Sequence, residues 1–109
     1  MRFRWMVILC LIAMPLVAQT KRAADLSRLQ AILLDSQNTK VTISSDAWRV
    51  TANESVTLAN RIAASSGGQA ARDLRTHVRE MRDAALKGDA DGARSHAGMA
   101  LPFANQLAP

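Results

Sequence analysis

Two histidines, two methionines and four arginines fall close together in the C-terminal half of this chain, and their spacing decides what they can do jointly. His77 and Met81 are four residues apart, His96 and Met99 three apart. Both separations place side chains on one helix face. Counted from a turn near Gly88-Asp89, His77 stands roughly 16 Å up one helix and Met99 roughly 15 Å along the next, at helical rise. Imidazole and thioether at one level suit Cu(I), or the axial pair of a haem held between helices. Against this, Met81 also falls in an apolar seam, where methionine is ordinary packing. His77 and His96 each precede a seam residue by one position, which makes them boundary side chains, and Asp73 and Glu80 are within helical reach of His77. No Cys-x-x-Cys-His sequence and no histidine-rich tract accompanies them. The sequence therefore favours no cofactor, and His77, His96 and Met99 form the alternative copper or haem set.

Arg72, Arg75, Arg79 and Arg82 recur at steps of 3, 4 and 3. They line one side of the same helix, about 100° from its apolar seam. Such a strip suits an anionic partner. Interleaved Asp73, Glu80 and Asp83 also allow a solvated flank, with Arg79–Asp83 and Asp83–Lys87 at the spacing of surface pairs. Nucleic acid is a poor fit, because no stacking aromatics interleave the arginines. A second candidate contact is the C-terminal stretch Leu101, Phe103 and Leu107.

Catalytic arrangements are missing from the sequence. No serine sits in a Gly-x-Ser-x-Gly elbow, and there is neither a phosphate-cradling glycine loop nor a His-Glu-x-x-His pair. Glu54 and Glu80 are the two glutamates, on separate helices. The chain reads as non-enzymatic. Asn53 and Asn60, seven residues apart, share one face of a helix and are polar contact candidates.

Four segments position these residues. Leu26, Leu29, Ile32 and Leu33, widened by Leu34, give an apolar stripe over about 23–36. Val41-Thr42-Ile43 alternates but lacks a partner strand, and reads as an extended connector. A second helix begins near Asp46, capped by Ser44 or Ser45, with the stripe Trp48, Ala52, Val56, Ala59 and Ile62 with Ala63. It stops at Ser65-Ser66-Gly67-Gly68. Ala71, Leu74, Val78, Met81 and Ala85 form the third seam, closed by Lys87 and Gly88. Asp89 caps a fourth helix striped by Ala93, Ala97, Ala100 with Leu101, Ala104 and Leu107. Pro102 predicts a kink in it, or an end near Ala100. The run Gly88-Asp89-Ala90-Asp91-Gly92-Ala93, followed by Ala100-Leu101, resembles the second half of a tetratricopeptide unit. The likeness spans one hairpin, no 34-residue period recurs, and it implies a helical hairpin alone.

Residues 1–20 differ from the rest. Arg2 and Arg4 precede 14 uncharged residues, Trp5 to Ala18. A bilayer needs about 20 residues of helix. A basic start, a short apolar run and a small residue instead predict a secretory signal peptide over 1–18, and a single domain over 19–109. Of 14 basic residues, Arg2 and Arg4 leave with that segment, so 12 face 9 acidic and the charge falls from +5 to +3. Cys10, the one cysteine, leaves too, and with it any disulfide or thiolate metal site.

These readings combine into an all-α protein, a small antiparallel bundle of three to four helices. Its core is alanine-rich and thin, so an apolar stripe is expected to seek a partner protein or a second copy. The chain is expected to be exported to the periplasm or the cell exterior and to act there as an interaction protein, without a stable membrane span after cleavage.

Overall fold

A computed structural model describes residues 21–38 and 45–108, which form four helices and no strand. The signal segment and the Val41-Thr42-Ile43 connector lie outside these residues. Helix α1 covers residues 21–36. Helices α2, α3 and α4 are Asp46–Ser66, Gly68–Leu86 and Ala90–Leu107. The architecture is an all-α antiparallel bundle.

Each helix begins or ends where its sequence supplies the missing hydrogen bonds. Ser45 caps α2, its side chain accepting from the Trp48 N–H. Gly67 alone separates α2 from α3, at φ 62°. That left-handed angle is where a side chain would be strained. The α3–α4 turn is a Schellman motif. The Asp89 N–H reaches the Ala84 carbonyl and the Gly88 N–H reaches that of Ala85. Gly88, at φ 80°, makes this possible. The same Asp89 then caps α4, its carboxylate accepting from the Gly92 N–H at 2.9 Å.

Cross-helix bonds fix the order around the bundle. Asp25 pairs with Arg61, and Arg28 with Glu54, so α1 runs antiparallel to α2. Arg79 donates to Asn60 between α3 and α2. Arg22 donates to the Leu107 carbonyl, Gln30 to Asn105, and Gln37 to the Arg94 carbonyl. These last three run in opposite chain order along α1 and α4, so the two helices lie antiparallel and close the ring.

The core pairs large side chains with small ones. From α1 come Leu26, Leu29, Ile32 and Leu33; from α4 come Ala93, Ala97, Ala100 and Ala104, all inaccessible to solvent or nearly so. An alanine stripe lets backbones approach closely, and α1 supplies the volume that alanine lacks. Ser36 and Ser55 are buried but satisfied, each hydroxyl donating to a carbonyl one turn back in its own helix. Helix α4 runs on through Pro102 to Leu107 and does not end near Ala100. Pro102 cannot donate to the Gly98 carbonyl, but both residues are exposed, where water can replace the donor. Among the described residues, no helix is long and apolar enough to cross a membrane.

Candidate functional sites on the two flanks of helix α3

The seam of α3 points inward through Ala71, Leu74, Val78, Met81 and Ala85. At 100° per residue its two flanks differ in chemistry. His77 and Glu80 lie on the side facing α4. The four arginines lie on the side facing α2, as the Arg79–Asn60 bond shows.

On the α4 side, three side chains converge. The His96 Nδ1 lies 2.8 Å from Glu80 Oε2, and the His77 Nδ1 lies 3.7 Å from that same oxygen. One ligand atom from each of His77, Glu80 and His96 falls within 4.8 Å of the others. Both Nδ1 atoms are shielded from solvent and neither makes a well-aligned hydrogen bond among the described residues, despite the short approach to Glu80. The Glu80 side chain is 45% exposed and opens the cluster to solution. Ring packing orients the imidazoles. His77 stacks on Phe103 with centroids 5.8 Å apart and planes 8° apart, and on His96 at 6.1 Å and 28°. His96 and Phe103 are seven residues apart, two turns along one face of α4, and His77 reaches them from α3.

The chain thus brings together two of the three residues of the alternative ligand set. Met99 is not among them: it is 48% exposed. It lies about 60° of helix rotation beyond His96, away from the core. Glu80 stands in its place. Its i, i+3 spacing from His77 was the available signal; its alignment with His96 follows from the tight α3–α4 turn. Asp73, also within reach of His77, is held by Gln69 instead. Met81 is fully buried in the seam.

On the α2 side, the arginines extend over about 15 Å of helix. Arg72 donates to Gln69 and Arg79 to Asn60, both neutral amides. Arg75 has no hydrogen-bond or ion-pair partner among the described residues. Arg82 alone of the four meets a carboxylate, that of Asp83 at 3.1 Å. Asp83 is thereby drawn from the Arg79 and Lys87 partners its spacing allowed. Asn53 is exposed and Asn60 is the amide that holds Arg79. Leu101, Phe103 and Leu107 are half-buried against the core, with Phe103 also covering His77. The buried Trp48 indole N–H, without a hydrogen-bond partner among the described residues, gave no sign of itself in the sequence.

No protein-family model, no curated protein and no solved structure matches this chain.

Proposed function

We propose that this chain is a small exported, non-enzymatic protein that works by contact, docking an acidic partner protein on the α2 side of α3. The observation that carries this reading is the charge of that flank. Arg72, Arg75 and Arg79 meet no carboxylate among the described residues, so three guanidinium groups present their charge outward. Guanidinium is suited to this role because its fork of donors matches the two oxygens of a carboxylate. Hydrogen bonds donated to the neutral amide oxygens of Gln69 and Asn60 hold two of the forks in place without cancelling their charge. The four apolar stripes turn inward to one core, so docking uses this outer flank and leaves the stripes packed. The leader-like residues 1–18 support export, to the periplasm or beyond the cell.

The test compares capture of partner proteins from the exported fraction by the wild-type chain and by a variant with Gln at positions 72, 75, 79 and 82. A control carries Gln at Lys21, Arg49 and Lys87. The reading expects a partner retained by wild type and control, lost by the arginine variant, and released as salt shortens the screening length below about 10 Å. Equal retention by all three proteins would refute it.

A further inference from the structure

We propose that His77, Glu80 and His96 form a binding site for a divalent transition-metal ion of the zinc class, held by two imidazole nitrogens and one carboxylate oxygen. This site is on the opposite flank from the arginine strip and does not depend on the docking reading.

Three observations converge. The first is the donor set. Two imidazoles and a carboxylate suit borderline cations such as zinc and copper(II), whereas magnesium and calcium demand oxygen throughout. The second is spacing. Zinc bonds nitrogen and carboxylate oxygen at about 2.0–2.2 Å, so tetrahedral ligand atoms stand roughly 3.3–3.5 Å apart. The separations from Glu80 Oε2 are 2.8 and 3.7 Å, on either side of that value. Small rotations of the half-exposed Glu80 side chain would equalise them. The third is the state of the two Nδ1 atoms. Both are shielded from water, both lack a well-aligned hydrogen bond among the described residues, and both face one carboxylate oxygen. A ring nitrogen this close to a carboxylate oxygen shares a cation with it, either its own proton or a metal ion, and three such atoms converge here. Buried polar atoms normally have partners, and a missing one calls for an explanation.

The scaffold favours such a site. Its ligands come from two helices joined by a three-residue turn, which holds α3 and α4 in fixed register. The Phe103 ring fixes the His77 plane before any ion arrives. Three protein ligands leave the fourth tetrahedral position to water. Neither Met99 nor a haem enters this arrangement.

Calorimetric titration of the full chain with zinc alone tests the proposal, alongside Glu80→Gln, His96→Ala and the His77→Ala/His96→Ala double variant. Circular dichroism of each confirms that it is folded. Glu80→Gln preserves size and keeps the test valid should a histidine variant unfold. The expected result is one zinc per chain, with each substitution weakening binding beyond the ~10–100-fold loss typical of removing an outer-shell partner. Imidazole NMR signals of His77 and His96 shift together as zinc is added. No zinc uptake by wild type would overturn the proposal and leave a proton as the cation shared by the cluster. So would uptake indifferent to Glu80→Gln, or magnesium bound as tightly as zinc.

Discussion

Arg28 and Glu54 show how much a single pair of charges contributes here. The guanidinium and carboxylate meet through two hydrogen bonds, at 3.0 and 3.1 Å, across the α1–α2 groove. The hydrogen bonds from Arg28 hold the Glu54 carboxyl below its ordinary range, its charge adds to the effect, and partial desolvation opposes it. The same contact raises Arg28. A carboxyl depressed in the folded state stabilises the fold above its unfolded pKa, about 4.3, and loses that contribution as pH falls through the folded value. Glu54→Gln should therefore lower the urea midpoint slightly at pH 7 in low salt. The gap should close as pH falls through the lowered folded value, where wild-type Glu54 also becomes neutral. Because both groups are solvent-exposed, the effect is small and screened by salt. This pairing was not legible in the sequence, since 26 residues separate the partners. Glu80 was hidden for the same reason. Its spacing from His77 was visible, but its meeting with His96 depends on where the neighbouring helix is set.

At the scale of elements, the local rules carried further. Ser45, Gly67, Gly88 and Asp89 act where helix-capping chemistry places them, because a cap depends on a few consecutive residues. The seams fall on buried positions for a related reason, that burial repeats with the helix period; at their margins Leu34 is exposed and Ala63, Leu101 and Leu107 are half-buried. Pro102 is the exception. Its cost to α4 depends on whether the orphaned Gly98 carbonyl is buried, and that is a property of the assembled bundle. Met99 illustrates the same boundary. Level with His77 by rise along the axis, it is excluded by rotation about it. Asp89 makes the sharpest prediction at this scale, as it closes α3 through its N–H and opens α4 through its carboxylate. Asp89→Ala removes the second role and keeps the first. It should cost about 1 kcal/mol of stability, as loss of a helix N-cap does, measured by chemical denaturation.

For the whole molecule, the feature that matters most is the closure of the bundle by α1. Read from composition, the core is thin, with 18 alanines in residues 19–109 and one Trp and one Phe beside them. In the fold, four large α1 side chains fill the space that the α4 alanines leave, so volume is shared unequally among the helices and still suffices. The short turns make α2–α3 and α3–α4 antiparallel neighbours from the sequence alone, whereas the 37–44 link permits α1 to lie across the others or beside them. Arg22, Gln30 and Gln37 settle its place through their bonds to α4. That closure points α3's seam inward and turns its flanks outward, arginines to one side and the His-Glu-His cluster to the other. The central claim is therefore the α1–α4 contact. The most direct measurement is a set of NMR nuclear Overhauser contacts on the full chain. Closure predicts cross-peaks between methyl groups of Leu26, Leu29 and Leu33 and those of Ala97, Ala100 and Ala104, in antiparallel order. Cross-peaks confined to the α2–α3–α4 segment, with α1 methyls seeing solvent, would contradict it.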